Sequence, residues 1–353
     1  MEIVFVKLLM IYQKISCSNS KWAMYDQVFY KSSKIVPTAS AASAIKMLSF
    51  CLADAGNAFL VPSPYDPELD RAVQWRTGVE IIPVPCCSVD NFNLSRTALD
   101  RAFDQADERG LNIRGVIISN PLNPVGSLQD GKTFENVLGF ATEKNIHVIC
   151  IETLAGYRYG EDDYFNSMVD IIDSGHYDRD RNHVVCDISG NLSLTGFSLG
   201  VVYTYNDAVL AAAEKLTEFT SISIPAHQLL VSFLSNRRYT RLFLDKNDDR
   251  LEIMHSKCMA GLEQLGIEFV KTSKGFYCWA DMRKFMSSND EKGELELWEK
   301  LLNVSKINVT PGSSRHCIEP GWFRFCFTTL KLEEIPIVME RIQRVTGSLI
   351  SQS

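Results

Sequence analysis

The sequence contains no strongly basic segment and no long apolar segment. Its 36 lysines and arginines are outnumbered by 43 aspartates and glutamates, which gives a net charge of −7, and no cluster of five or more basic residues occurs. Because a nucleic-acid-binding face needs basic side chains that neutralise phosphates, we expect no nucleic-acid partner. No uninterrupted apolar run reaches the roughly 18 residues of a membrane-spanning helix. We therefore expect no membrane partner either.

The ten cysteines lack the paired spacing of a disulfide framework or a zinc site. They are scattered along a chain that is large enough to build a hydrophobic core without disulfides. The close pairs of soft ligands are Cys86–Cys87 and His316–Cys317, and neither pair has a second pair at zinc spacing. We expect reduced thiols in a soluble cytoplasmic protein, and no bound metal.

The first residues, MEIVFVKLLMIYQKI, are apolar enough to suggest a secretory signal peptide. However, Glu2 stands where such a peptide carries positive charge, Lys7 interrupts the apolar stretch, and no small-x-small cleavage site follows. We interpret residues 1–35 as a divergent N-terminal segment of unassigned structure and not as a targeting signal.

Strand-like and helix-like segments alternate from about residue 33 onward. The predicted helices cover residues 41–52, 97–109 and 133–144, and the predicted strands cover 58–61, 80–84, 114–119, 146–151 and 183–186. Strands that alternate with helices of ten or more residues indicate right-handed crossovers and a mostly parallel sheet. We therefore predict a large α/β domain over residues 36–235.

The pattern changes near Ser235. A charged helix is predicted over residues 237–265, followed by the aromatic strands 275–281 (GFYCWAD) and 321–328 (GWFRFCFT) and by helices 294–302 and 333–345. This arrangement predicts a smaller α+β domain over residues 236–353.

Three polar or turn-rich stretches follow strands of the predicted parallel sheet. They are NPLNPVG (residues 120–126), IETLAG (151–156) and DISGNLSLTG (187–196). Ligands of open α/β sheets bind beyond the carboxyl ends of the strands, so these stretches are the candidate site.

Several segments, in this order and spacing, carry a family resemblance. They are FLVPSPYDP, WRTGVEIIPV, NPLNPVG, NIHVICIE, GFYCWADM and PGSSRHCIEPGWFRFCF. They resemble the 1-aminocyclopropane-1-carboxylate (ACC) synthase family, especially its plant ACC-synthase-like amino-acid aminotransferases, over residues 22–345. The resemblance implies the pyridoxal-phosphate (PLP) fold type I, a homodimer, a seven-stranded mostly parallel sheet, and PLP held at its carboxyl edge by a lysine Schiff base.

This sequence departs from the family at the lysine itself. The family pattern Ser-x-Ser-Lys-Asp-Leu-x-Leu-Pro-Gly-Phe-Arg-x-Gly corresponds to residues 187–200, which places Gly190 at the lysine and Ser198 at the phosphate-binding arginine. No lysine occurs from Asn145 to Glu214, so a shift of register supplies none. Glycine has no amine with which to hold the cofactor or move a proton.

Other cofactor positions have changed as well. By the resemblance, Ile151 replaces the aspartate of the pyridine nitrogen, and Leu154 replaces the tyrosine of the ring hydroxyl. Ser40 lies in the glycine-rich phosphate turn. In PSPYDP, Asp66 stands at the ring-stacking aromatic, with Tyr65 as the other candidate for that position.

Three polar residues remain at family positions: Asn123 for the ring hydroxyl, Ser189 for the phosphate and Arg324 for the substrate carboxylate. Asn123 can instead serve turn geometry, and Arg324 can be a structural arginine of its strand. Glu152, the single acid of residues 151–156, is the alternative for a replacement general base. For Tyr65 and Trp279, core packing is the default interpretation.

We therefore predict a family member that keeps the fold but lacks PLP catalysis. It forms a homodimer or pairs with an intact relative, or it has no function of its own. The alternative is a working PLP-dependent transaminase or ACC-synthase-like enzyme in which another group replaces lysine. The family has a longer segment, with a Tyr-His-Gly motif, before the phosphate turn than the 37 residues that precede Thr38 here. A shortened product or misassigned starting exons would both explain this difference.

Overall fold

The computed structural model describes residues 31–157, 159, 165–175, 177–272 and 274–350. The divergent N-terminal segment that we predict over residues 1–35 therefore lies almost entirely outside the described residues. Within them, no helix is both long enough and apolar enough to cross a membrane.

A seven-stranded sheet with helices on both faces forms the larger part of the fold. Its elements are β1 (Ile35–Thr38), α1 (Ala41–Leu52), β2 (Asn57–Ser63), α2 (Glu68–Thr77), β3 (Glu80–Pro85), α3 (Arg96–Glu108), β4 (Asn112–Ser119), α4 (Gly131–Lys144), β5 (His147–Glu152), α5 (Met168–Ser174), β6 (Asn182–Asp187), α6 (Ile188–Asn191), β7 (Gly200–Thr204) and α7 (Asp207–Leu216). The strand order is β1-β7-β6-β5-β4-β2-β3.

The sheet is mostly parallel, as the sequence predicts. Strands β3, β2, β4, β5 and β6 run parallel, whereas β7 pairs antiparallel with β6 and with β1. Every strand and helix that the sequence patterns predict is present, although several begin or end a few residues away. The patterns do not reveal β1 or β7.

Apolar side chains cover both faces of the central strands. On β4 and β5, Ile117 and Ile149 belong to the cluster packed against α1, while Ile118 and Cys150 belong to the cluster packed against α3 and α4. Burial on both faces explains why these strands are nearly continuous β-branched runs. The polar residues of these strands, such as Ser119 and Glu152, therefore lie at the ends of the strands.

A four-stranded antiparallel sheet and its helices form the smaller unit. Helix α8 (Ile224–Ser235) precedes this unit and contributes Leu230 and Leu234 to the core of the large sheet. The elements of the smaller unit are α9 (Arg237–Gln264), β8 (Glu268–Phe269), β9 (Tyr277–Asp281), α10 (Glu291–Asn303), β10 (Thr310–Pro311), β11 (Trp322–Cys326) and α11 (Ile335–Ile350), in strand order β10-β11-β9-β8. We call the two units the large and small domains. The boundary near residue 235 stays a prediction.

Candidate functional site

Three loops meet at the carboxyl edge of the large sheet. They follow β4, β5 and β6, which are parallel neighbours. The backbone N–H of Asn120 donates to the carbonyl oxygen of Ile151 (2.9 Å), and that of Gly156 donates to Oδ1 of Asn191 (3.1 Å). The structure thus brings together the three stretches that the sequence marks as the candidate site.

Gly190 lies in the short helix α6 directly after β6, and the side chain of Asp187 lies against it. The backbone N–H of Gly190 donates to Oδ1 of Asp187 over 2.8 Å, so this carboxylate caps α6. A Cβ atom on residue 190 would lie 2.8 Å from Cγ and from Oδ2 of Asp187. Any side chain at the lysine position would therefore have to displace the carboxylate that now caps the helix.

The two residues at phosphate-binding positions of the same loop differ in exposure. Ser189 is buried, and its hydroxyl donates to Oδ1 of Asp187 (2.8 Å) and accepts from the backbone N–H of Leu199 (3.0 Å). Ser198 is exposed and has a left-handed backbone with φ of 52°. The retained hydroxyl thus serves the internal geometry of the loop, and the arginine position carries no charge.

The positions that would face the cofactor ring are apolar and packed. Ile151 is buried in the cluster on the α1 side of the sheet, next to Val185 of the neighbouring strand. Leu154 is buried in the core of the small domain. Neither side chain can exchange a hydrogen bond with a pyridine nitrogen or a ring hydroxyl.

Ser40 caps the helix that follows β1. Its Oγ accepts from the backbone N–H of Ser43 over 3.1 Å at the beginning of α1. Gly200 of β7 passes so close that a Cβ atom there would lie 2.3 Å from the backbone carbon of Ser40. The phosphate turn of the resemblance is therefore present as a helix N-terminus, with serine in place of glycine.

Asp66 makes polar contacts with both domains. Its Oδ2 accepts from Nδ2 of Asn123 (3.0 Å), and its Oδ1 lies 2.8 Å from Nη1 of Arg315. Burial alone would raise the pKa of Asp66, but the charges of Arg315 and Arg324 and the backbone N–H of Glu68 lower it below the usual range. A charged side chain thus stands where the resemblance implies an aromatic ring.

Arg315 is a site residue that the sequence patterns do not predict. The arginine within PGSSRHC is visible as a charge in an otherwise small and polar turn, but its partner Asp66 lies in a different domain. Only the fold brings the two together.

Arg324 lies on β11 with its guanidinium carbon 4.9 Å from the centre of the Tyr277 ring. Burial, followed by repulsion from Arg315, lowers the pKa of this guanidinium. Among the described residues, Nε of Arg324 and the hydroxyl of Tyr277 have no hydrogen-bond partner. Arg324 therefore keeps an unused hydrogen-bond donor at Nε.

Glu152 ends β5 and is fully buried against α5. It accepts from the backbone N–H of Met168 (2.8 Å, to Oε1) and from Oγ of Ser167 (3.0 Å, to Oε2). Burial raises the pKa of this carboxyl to about 8. Both of its oxygens are engaged at the start of α5, which favours a structural role over that of a replacement base.

These residues do not fit a PLP group in the way the resemblance would place it. The position of the covalent anchor has no amine, the retained serine hydroxyl is used within its own loop, and the ring positions are Ile151 and Leu154. No group of three or more histidine, cysteine, aspartate or glutamate side chains suitable for a metal occurs in the described part of the chain. Tyr65 and Trp279, for which core packing is the default interpretation, are both buried.

Comparison with known proteins gives consistent results. Residues 18–342 match the family described as aminotransferase class I and II. The 1-aminocyclopropane-1-carboxylate synthase 6 of Oryza sativa subsp. japonica is 50% identical over 325 residues, which are 92% of this chain and 60% of that protein. The probable aminotransferase ACS12 of Arabidopsis thaliana is 46% identical over 328 residues, which are 93% of this chain and 66% of that protein.

Solved structures show the same fold at low sequence identity. An aromatic aminotransferase from Pyrococcus horikoshii OT3 has a TM-score of 0.81 at 20% identity and covers 97% of this chain and 85% of its own. An aminotransferase from Mycobacterium tuberculosis has a TM-score of 0.78 at 21% identity, with 98% and 82% covered. This chain spans less than two thirds of the rice relative and just under two thirds of the Arabidopsis one.

Proposed function

Because the chain belongs to the class I and II aminotransferases, a family of PLP-dependent enzymes, we propose that it is an ACC-synthase-like member that keeps the fold without PLP-dependent catalysis. The observation that carries this proposal is Gly190 with the carboxylate of Asp187 packed against it. A lysine amine at this position would be both covalent anchor and proton carrier. A positioned acid–base group alone contributes a factor of ~10²–10⁴ in rate.

The remaining substitutions weaken binding of the cofactor even without its covalent link. Ile151 and Ser198 each remove one charge-assisted contact, and such contacts contribute about 1.5–3 kcal/mol each. Together the two losses correspond to an affinity lower by ~10²–10⁴, at about tenfold per 1.4 kcal/mol. We therefore expect any bound PLP to be weakly and reversibly held.

The competing function is a working PLP-dependent transaminase or ACC-synthase-like enzyme. It is favoured by Asn123 and Arg324, which stand at the family's ring-hydroxyl and carboxylate positions. In that case another lysine would have to hold the cofactor. Lys274 is the candidate to examine first, because it is almost fully buried. Its backbone is held in place, since its carbonyl oxygen accepts from the hydroxyl of Tyr159 (2.7 Å).

An absorption spectrum with PLP, before and after borohydride reduction, separates the two functions. The proposal predicts that only free cofactor is seen, that dialysis removes it, and that reduction leaves no protein-bound adduct. An intact relative that carries the lysine is the positive control. A stable adduct that peptide mass spectrometry maps to one buried lysine, and that Lys274→Met removes, would establish the competing function.

We also propose that the chain acts through association, as a homodimer or in a heterodimer with an intact family member. The proposal is supported by apolar side chains that are more than half exposed along α8 and its flanks, namely Phe219, Ile224, Leu229, Tyr239 and Leu242. Burial of such side chains is a common source of association energy. As a separate proposal, we place the chain in the cytoplasm, because the spacing of its cysteines in the sequence is typical of reduced thiols.

Co-expression with an intact relative tests the association. We expect the two chains to co-purify and Leu229→Glu to abolish the complex. Val304→Glu is the matched control, because Val304 is also apolar and 69% exposed but follows α10, outside the segment of residues 219–242. A chain that stays monomeric alone and with the relative would contradict the proposal.

A further inference from the structure

Asp66 and Arg315 form an ion pair that joins the two domains. Asp66 lies in the loop between β2 and α2 of the large domain, and Arg315 ends the short 3₁₀ turn Ser313–Arg315 between β10 and β11 of the small domain. Oδ1 of Asp66 lies 2.8 Å from Nη1 of Arg315. The pair therefore joins the two domains next to the carboxyl end of β2.

Arg315 needs a counter-charge because it is buried. The residue is only 8% exposed, and a buried guanidinium without a partner is strongly unfavourable. Arg324 adds a second positive charge that acts on the same carboxylate. Asp66 supplies a negative charge that acts on both guanidinium groups.

The two arginines have hydrogen-bond donors that no residue in the described part of the chain accepts. Nε of Arg315 and Nε of Arg324 have no hydrogen-bond partner among the residues that the structure describes. Nη1 of Arg315 lies at ion-pair distance from Asp66, but it too makes no aligned hydrogen bond with these residues. The hydroxyl of the buried Tyr277, over whose ring Arg324 lies, is also without a partner among them. Unpaired buried guanidinium donors of this kind are typical of a site for a carboxylate.

We propose that Asp66 is an internal carboxylate ligand: it occupies an anion site that Arg315 and Arg324 of the small domain form. A free carboxylate competes with Asp66 for Arg315. The chain therefore joins its two domains through its own carboxylate, without any bound ligand. This inference depends on the ion pair and on the unpaired donors, and it is independent of whether the chain binds PLP.

A neighbouring contact, which His316 makes with α2 and with the loop before it, provides an internal control. His316 Nε2 lies 2.7 Å from Oδ2 of Asp70, and the ring of His316 stacks on Tyr65 with centroids 4.3 Å apart. These residues also join the two domains. They do not involve the guanidinium groups of the proposed site.

Replacement of Asp66 by a smaller residue tests the proposal, with formate as the probe. Asp66→Ser removes the carboxylate and leaves room for a formate ion. A serine can still accept the hydrogen bond that Asp66 Oδ1 accepts from the backbone N–H of Glu68 (3.0 Å) at the start of α2. In Asp66→Asn the side chain keeps the shape of aspartate but carries no charge, and it leaves no room for a formate ion.

Titration calorimetry in the absence of PLP gives the affinities for formate. We expect Asp66→Ser to bind formate about tenfold to a hundredfold more tightly than the wild type, the range for one charge-assisted contact. Asp66→Asn and the control Asp70→Ser should bind formate no better than the wild type. Adding Arg324→Gln to Asp66→Ser should remove the gain.

Three outcomes would overturn the proposal. Equal formate affinity of Asp66→Ser and the wild type would mean that Asp66 does not occupy the anion site. An equal gain in Asp70→Ser would mean that loosening of the domain contact is sufficient. If Asp66→Ser does not fold in chloride, it should refold in formate, and failure to refold in both salts would also count against the proposal.

Discussion

Replacement of Glu152 by glutamine is expected to change how stability depends on pH. Burial is the main cause that raises the pKa of this carboxyl from 4.5 to about 8, and the hydrogen bonds from Met168 and Ser167 offset this only in part. The folded protein therefore holds Glu152 in its protonated form at neutral pH. A glutamine amide has nearly the same shape, and it can accept from the N–H of Met168 and donate to Ser167.

The sign and size of the effect follow from the two pKa values. Between about pH 4.5 and pH 8 the folded state keeps a proton at Glu152 that the unfolded state has released. In this window the free energy of unfolding falls as pH rises, by ~1.4 kcal/mol per pH unit for one group. Glutamine does not titrate. The stability of Glu152→Gln relative to the wild type should thus increase by roughly 3 kcal/mol between pH 5 and pH 7.5.

Urea unfolding followed by tryptophan fluorescence at several pH values measures this difference. The other titrating groups are present in both proteins and cancel when the two are subtracted. Glu135→Gln, on the exposed face of α4, is the control and should show a constant difference within about 0.5 kcal/mol. A constant difference for Glu152→Gln over the same range would mean that the buried carboxyl is already ionised in the folded protein, and the expectation would be wrong.

Three further changes have expected outcomes. Gly190→Ala places a methyl group against the carboxyl of Asp187, a flexible side chain that can turn away but then gives up its cap on α6. A lost cap costs about 0.5–2 kcal/mol and alanine is about 1 kcal/mol more favourable than glycine in a helix, so we expect the free energy of unfolding in urea to fall by at most about 1 kcal/mol. A fall of more than about 2 kcal/mol would contradict this reasoning. Burial lowers the pKa of His147 to about 4 and that of its partner His183 to about 3, so stability is lost as pH falls from about 6.5 towards 4. His147→Gln should therefore lose less of its melting temperature between pH 7 and pH 5 than the wild type, and an equal loss would contradict this. Ile151→Asp buries an unpaired carboxylate and should lower the free energy of unfolding by about 3 kcal/mol or more; a melting temperature that PLP restores would count against the proposed loss of cofactor binding.

The sequence predicts elements well where local pattern and capping agree. Helix α1 has the predicted bounds Ala41–Leu52, because its apolar spacing begins directly after the cap Ser40. Strand β7 (Gly200–Thr204) is not predicted, since it is a short run directly after a loop of small residues. Its place in the sheet depends on pairing with β6 and β1, and such long-range pairing leaves no local signal.

The same distinction applies to the candidate site. Two short motifs identify Gly190, Ile151 and Ser198 as changed positions. Each of these residues stands at a fixed place in its motif, so it can be compared directly with the family residue at that place. The ion pair of Asp66 and Arg315 cannot be found in this way. Its two members lie in different domains, and each by itself is only a charged residue in a turn.

The contact between Asp187 and Gly190 also constrains how this chain can evolve. A side chain that arises at position 190 while Asp187 is present meets the carboxyl at 2.8 Å, so Asp187 must turn away and gives up its cap on α6. That first change brings no benefit while Ile151 and Ser198 stay in place. A return to a working lysine therefore needs several changes together.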